Sequence, residues 1–515
     1  MKRKDNLPVD NFLSRFWPLL SLIAGAFTTL AFAPFDQGWL VFITLALPFY
    51  LWTRLTAKQA AISAWLYGLG LQCTGVSWIY YSLHVHGSAP VIFAVLLIFL
   101  LCCYLSIYTA LSAYTVNRFL PESPLLRLML FYPASWVLFE WLQGYVMTGF
   151  AWMQLGYTQI DLPLAGFAPV LGNHAVGGLI AFCAGALALV IMRFGQKDYR
   201  AAFIIVIPVL LLWVSGVLLK TIDWTQADGD AIRVSVVQGN IPQKDKWTLH
   251  MKKPTMDMYR QLSLAQQDVD LIIWPETAVP NYRHRVEPYL HQLHDEMKQR
   301  ETDLLLGIFV KNDKGRVLNS LVNVNGDAYH KRHLVPLGEY IPLRFLIEFF
   351  NRFVKIPMSD IASGEEDQPL LIAAGVPLGI NICFEEAFAR DVIKDLPEAK
   401  LLINVSNDAW FEDSIEPHQH HAIARMRALE AGRYMIRSTN TGITSFIGPH
   451  GEVIEQLPQF ERAVLNGTVQ PLTGATPFVR WGDGLIIGLC GLLLAVFAHR
   501  RFKKRGTENE HDQQF

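Results

Sequence analysis

The apolar positions of this chain form long unbroken runs at the start, short alternating runs in the middle and one more long run near the end. A helix needs roughly 17–25 mostly apolar residues to cross a bilayer. Eight runs predict such helices: Phe16–Ala33, Gly38–Thr53, Ala60–Tyr80, Val91–Tyr114, Leu128–Gly144, Gly166–Met192, Ala201–Leu219 and Gly484–Ala498. The second, fifth and eighth are short for a full crossing, so they are expected to be re-entrant or anchored by their flanks. Between them the pattern predicts strands at Ile232–Gln238, Val269–Trp274, Asp303–Val310, Leu318–Val324, Leu378–Cys383 and Leu401–Val405. A helical run covers His421–Ile436. Strands alternating with helices predict an α/β domain. The expected organisation is a membrane domain over 1–220 with about seven transmembrane helices, a catalytic-type soluble domain over 231–475, a transmembrane helix over 484–499 and a basic tail over 500–515.

Charge orients this plan. Residues 16–220 hold only eight Lys or Arg. Seven of these, all but Lys220, and the terminal basic residues cluster at Lys2, Arg3, Lys4 and Arg15, at Arg54 and Lys58, at Arg118 and Arg127, at Arg193, Lys197 and Arg200, and at Arg500, Arg501, Lys503, Lys504 and Arg505. The loops near Pro34, Val85 and Thr158 carry none. Basic loops stay on the cytoplasmic side, so both termini are expected in the cytoplasm and the soluble domain outside it. The Ala31-Phe32-Ala33 run resembles a signal-peptidase site, but Pro34 follows directly and further spans come at once, so the segment is read as a retained helix. Over the 515 residues 52% are hydrophobic and 17% charged, with a net charge of −1. That balance is unlike a soluble enzyme and excludes a nucleic-acid partner on electrostatic grounds. Glu140 is an acid at membrane depth, read equally as a functional group or as a side chain reaching for the interface.

Of six cysteines, Cys73, Cys102, Cys103, Cys183 and Cys490 fall in apolar runs and only Cys383 lies in the soluble domain. It has no partner there for a disulfide or a multi-cysteine metal site, which leaves a core residue or a nucleophile. Cys383 ends the apolar strand Gly379-Ile380-Asn381-Ile382, ahead of Phe384, Glu385 and Glu386. Two other strand ends carry chemistry: Leu271-Ile272-Ile273-Trp274-Pro275-Glu276, and Tyr329-His330-Lys331-Arg332-His333, where alternation sets Tyr329, Lys331 and His333 on one face. Active groups in α/β folds gather where strands end. A thiol needs a base, a carboxylate raised by burial can be one, and a fixed cation can hold an oxyanion. Taken singly, Glu276 and Lys331 would read as solvated surface charges.

These three segments, in this order, resemble the nitrilase superfamily. The flanking apolar helices and the runs Gln238-Gly239-Asn240-Ile241-Pro242, Leu334-Val335-Pro336-Leu337-Gly338-Glu339-Tyr340 and Ser406-Asn407-Asp408-Ala409-Trp410-Phe411 make the likeness closest to its membrane-bound branch, the apolipoprotein N-acyltransferases of Gram-negative bacteria. The resemblance covers nearly the whole chain. It implies an α-β-β-α sandwich joined to an α-helical membrane bundle, and a catalytic triad of Glu276 (general base and acid), Lys331 (oxyanion stabilisation) and Cys383 (nucleophile). Glu339, Glu385 and the backbone N–H of Phe384 would support it. It also implies acyl transfer from a phospholipid, through a thioester on Cys383, to the amine of a diacylglyceryl-cysteine on an apolipoprotein, with no cofactor. The setting would be the bacterial inner membrane, multi-pass among membrane lipids, with the catalytic domain periplasmic. The family often has Tyr after the nucleophile where this chain has Phe384, which removes a phenolic hydroxyl.

Trp247, Trp410 and Phe411 are read as an apolar lid over acyl chains, against the alternative of packed core aromatics. Among Glu416, His418, His420 and His421 no two histidines have the i, i+4 helical spacing of zinc sites, so no metal is expected and the group is read as the opening of the next helix. Two other functions compete. One is a membrane-tethered nitrilase or amidase acting on a small amide, with water as acceptor. The other is a non-catalytic lipid-binding or transport protein with a vestigial domain.

Overall fold

The computed structural model describes residues 8–336, 338–340 and 360–512. Lys2, Arg3, Lys4 and Leu337 lie outside the described residues. The chain divides into two compact units: one of 1–77, 95–222 and 481–515, the other of 78–94 and 223–480.

The first unit is helical. Its helices are α1 (Pro8–Thr28), α2 (Leu40–Trp52), α3 (Ala57–Gly75), α4 (Val91–Phe119, which begins at the edge of the other unit), α5 (Pro124–Gln143), α6 (Ala168–Gly195) and α7 (Tyr199–Leu219), with a final long helix over Gly484–Asp512. All eight apolar runs are therefore helical. Among the described residues, five helices are long and apolar enough to span a membrane, which makes this a membrane protein. The other three fall short of this among the described residues: α2 has 13 residues, the apolar helical stretch Arg15–Ala31 is under 18, and α3 carries Lys58, Gln59 and Gln72. Where the hydrophobic effect is weak between helices, buried polar pairs and close packing hold them. Ser21 meets Ser63 at 2.7 Å and Thr28 meets the Tyr67 hydroxyl at 2.9 Å between α1 and α3. Glu140 turns inward rather than toward an interface: its Oε1 accepts from Trp136 Nε1 at 3.2 Å and from the Leu155 N–H at 3.0 Å.

The second unit holds two six-stranded sheets. Its strands are β1 (Ile232–Gln238), β2 (Leu271–Ile273), β3 (Asp303–Lys311), β4 (Val317–Asn323), β5 (Ala328–His330), β6 (Leu371–Ala373), β7 (Val376–Ile382), β8 (Leu401–Ser406), β9 (Met435–Thr439), β10 (Ser445–Ile447), β11 (Val453–Gln456) and β12 (Ala463–Val469). One sheet runs β12-β1-β2-β3-β4-β5 and the other β11-β10-β9-β8-β7-β6. Side chains alternate across each strand. Leu305 of β3 and Ile380, Ile382, Ile403 and Val405 of β7 and β8 point into a core shared by both sheets. Leu304, Leu306 and Ile308 point the other way, onto Tyr259, Leu290 and Leu293 of helices α8 (Leu249–Leu264) and α9 (Glu287–Lys298). Leu402 and Met435 face Ala424 and Ala428 of helix α10 (Glu416–Ala431). The result is a four-layer α-β-β-α sandwich.

One expectation is corrected here. The helix expected over His421–Ile436 spans Glu416–Ala431 instead. It opens with Pro417 at its first turn and stops at Gly432, whose φ of 60° only a residue without Cβ adopts cheaply. Met435 and Ile436 then belong to β9, parallel to β8. The segment Trp78–Ala94 belongs to this second unit, although it sits among the apolar helices in sequence.

Candidate active site

Three strand ends converge on one polar cluster. β2 and β3 are parallel neighbours, and beyond β2 the chain turns through Pro275, Glu276 and Thr277. The Trp274 N–H donates to the Leu305 carbonyl at 2.9 Å and the Val279 N–H to the Gly307 carbonyl at 3.1 Å. Thr277 has φ 48°. The turn lies so close to β3 that a Cβ on Gly307 would meet the Pro275 oxygen and the Thr277 nitrogen at 2.4 Å each. Only glycine fits there.

Lys331 follows β5, and its N–H donates to the Asn319 carbonyl on β4 at 2.8 Å. Its side chain is 1% exposed. The ammonium donates to Glu339 Oε1 at 3.0 Å and stands 3.9 Å from Glu276 Oε1. Asn319 Nδ2 bridges the two acids, at 2.7 Å from Glu276 and 3.2 Å from Glu339. The second oxygen of Glu339 takes the Val335 N–H at 2.8 Å. Burial pulls the Lys331 ammonium down, but Glu339, Cys383 and Glu276 outweigh it and hold it above its ordinary value. Burial lifts the Glu276 carboxyl, against the pull of Lys331 and with the help of Glu339.

Cys383 begins the turn after β7 with φ 55°, a left-handed conformation that costs a non-glycine residue about 1–3 kcal/mol. Burial pushes its thiol up to about 12; Glu276 adds to this, while Lys331 and His420 oppose it. Glu385, fully buried, ties that turn to the Lys331 segment. It accepts the N–H groups of Arg332 (2.6 Å), His333 (3.0 Å) and Ile382 (2.6 Å) and the Tyr329 hydroxyl (3.1 Å). Burial nevertheless lifts its carboxyl to about 7, against Lys331 and those N–H donors. Phe384 packs edge-on against Phe388 at 5.0 Å.

The expected lid residues separate. Trp247 stacks on Phe309 of β3 at 5.5 Å. Phe411 lies against Trp78 at 4.8 Å and Trp410 against His86 at 5.6 Å, so these two pack on the Trp78–Ala94 segment.

Sequence reasoning missed Lys246, Asn319 and Arg437. Lys246, 2% exposed, donates to the Glu276 carbonyl at 3.1 Å, and burial lowers it to about 8 against Glu276 and Cys383. Its signal was its place beside the Gln238–Pro242 run. Asn319 had none, since an asparagine within a strand resembles many others. Glu416 and His420 open α10, and with Asp408 they bring ligand-type atoms within 4.8 Å of one another. Arg437 of β9 supplies positive charge there, ion-paired to Asp408 at 3.2 Å and to Glu386. His418 instead meets Gln459 at 3.0 Å and His421 meets Ser445 at 3.0 Å.

Comparison with known proteins bears on the whole chain. Residues 24–186 match the model of the apolipoprotein N-acyltransferase N-terminal domain, and residues 233–478 that of carbon-nitrogen hydrolases. A Methylococcus capsulatus protein named apolipoprotein N-acyltransferase is 41% identical over 488 residues, 94% of this chain and 96% of its own length. One of the same name from Pseudomonas syringae is 41% identical over 490 residues, 93% of this chain and 96% of its own. Another from Nitrosomonas europaea is 40% identical over 503 residues, 95% of this chain and 99% of its own. With likeness at that level across both units, the chain belongs to the apolipoprotein N-acyltransferase family.

Proposed function

We propose that this protein is an acyltransferase that moves a fatty acyl chain from a phospholipid to the amino terminus of a diacylglyceryl-cysteine on an apolipoprotein, by way of a thioester on Cys383. The names its relatives carry and their near-full coverage support the overall reaction. The observation that carries the mechanism is the buried group of Glu276, Lys331 and Glu339, with the Lys331 segment tied through Glu385 to the left-handed turn of Cys383. Positive loops on one side of the helices favour the inner membrane with a periplasmic catalytic domain.

The thiol of Cys383, pushed up to about 12, is protonated at rest and cannot attack unaided. Glu276, whose carboxylate burial has made more basic, takes that proton as the sulfur adds to the ester carbonyl. The new oxyanion forms beside Lys331, which stays cationic. Collapse breaks the acyl C–O bond. Glu276 returns the proton to the departing lysophospholipid oxygen, leaving a thioester. The acceptor amine then adds to the thioester carbonyl and loses a proton to Glu276. Breaking the C–S bond releases the amide, and that proton restores the thiol. Glu339 holds Lys331 in place, and Glu385 fixes the distance between the lysine segment and the nucleophile turn.

The test is mass spectrometry of the protein after incubation with a defined phospholipid. An acyl adduct on Cys383, absent from Cys383→Ala, is expected. An adduct that persists in that variant, or release of ammonia from small amides with no lipid consumed, refutes the proposal.

A further inference from the structure

The polar network behind the nucleophile meets it at the backbone carbonyl of Cys383. Asn404 Nδ2 on β8 donates to that oxygen at 3.3 Å, and to the Asn381 carbonyl at 3.4 Å. Its orientation is fixed from the other end, because Asn404 Oδ1 accepts from Arg437 at 3.0 Å. His420 Nε2 lies 3.3 Å from the same Cys383 oxygen and 2.9 Å from Glu386 Oε1. Its Nδ1 faces Asp408 Oδ1 at 3.3 Å and Glu416 Oε1 at 3.4 Å. With carboxylates at both nitrogens, the ring serves as a donor on both sides, which only the imidazolium does. His420, Asp408, Glu386, Glu416 and Arg437 are each at most 1% exposed.

Resting on the reading of Cys383 as nucleophile, we propose that His420, as an imidazolium, and Asn404 are positioning residues that grip the Cys383 carbonyl and hold the nucleophile in its left-handed turn. The strain of about 1–3 kcal/mol at that residue persists only where its surroundings fix it, and these two donors supply the fixing at the carbonyl. The charged groups facing His420 are Glu386 from the nucleophile turn, Asp408 from the end of β8, Glu416 from its own helix and Arg437 from β9. Burial and Arg437 oppose its charge, but Glu386 and Asp408 prevail and hold it protonated well above the ordinary histidine range. The cation so retained also lowers the thiol, as Lys331 does.

The experiment compares His420→Ala, His420→Gln and Asn404→Ala in the full-length protein reconstituted in lipid nanodiscs. Misplacing a nucleophile by about 1 Å costs on the order of a hundredfold. His420→Ala and Asn404→Ala are therefore expected to form the acyl-enzyme about a hundredfold more slowly at unchanged KM for phospholipid. Alkylation of Cys383 by iodoacetamide in His420→Ala should shift to higher pH. His420→Gln keeps a donor near the Nε2 position without the charge. It should recover at least part of the acylation rate while its alkylation profile stays displaced, an outcome a merely structural histidine does not produce. The inference is overturned if folded alanine variants acylate within about threefold of the parent. It is equally overturned if His420→Gln gains nothing over alanine. Should His420→Ala not fold, Asn404→Ala and His420→Gln measured against the parent decide the question. Retained acylation by Cys383→Ala would instead defeat the catalytic reading itself, whatever His420 does.

Discussion

Replacing Lys331 by methionine keeps the length and shape of the side chain and removes one buried charge. In the parent that charge lies 3.0 Å from Glu339 and 3.9 Å from Glu276. With an effective dielectric of about 20, the two attractions are worth about 5.5 and about 4 kcal/mol, most of it offset by the cost of desolvation. Taking away one partner of such a group leaves buried carboxylates uncompensated and typically costs about 3–5 kcal/mol. For a unit of this size that corresponds to a fall in Tm of about 6–15 °C. The pH dependence is the sharper test. Lys331 stands above its ordinary value, so its contribution is fully present below the unfolded value of about 10.4 and is lost only as pH rises through the folded one. The parent should therefore lose nothing from this source between about pH 5 and 9. In the variant, Glu276 lacks its cation and is raised further. A raised carboxylate costs stability above its unfolded value of about 4.3, and that cost fades as pH falls through the folded value. Differential scanning fluorimetry in nanodiscs should show a larger loss for Lys331→Met at about pH 8 than at about pH 5. An equal loss at both, or a gain in Tm, would refute the reasoning. Acyl-enzyme formation should be lost at either pH.

Two further outcomes follow from the geometry. Gly307→Ala places a methyl 2.4 Å from the backbone of the Glu276 turn; overpacking of that kind costs about 1–3 kcal/mol, and single-turnover acylation should fall as Glu276 is displaced, with Cys383 alkylation little changed. Glu385→Gln keeps the shape but takes the carboxylate from the N–H groups of Arg332, His333 and Ile382; Tm should drop by an amount reflecting about 1–3 kcal/mol, acylation should slow, and an unchanged rate and Tm would contradict its tethering role.

Hydropathy and strand-end patterns made much of this protein legible. Long apolar runs have few alternatives to helices in a bilayer, and an apolar strand that ends in a lone soluble-domain cysteine marks a candidate whatever the rest of the fold does. Glu276 and Cys383 stood out because each follows an apolar strand, and Lys331 through the order of the three segments that carries the resemblance. What the chain alone determined was the identity of the chemical groups and the local elements that carry them, since both follow from short-range pattern. The tertiary structure decided which distant groups complete the site. Asn319 and Lys246 look ordinary in sequence and matter only because β4 and the segment before α8 bring them to Glu276. His420 and Arg437 read as helix and strand charges until β8, β9 and α10 close around the Cys383 turn. Trp410 and Phe411 read from sequence as a lid or as packed aromatics, and their contacts with Trp78 and His86 come only from the fold. Burial, charge coupling and backbone strain belong to the assembled neighbourhood, and no local run of residues encodes them by itself.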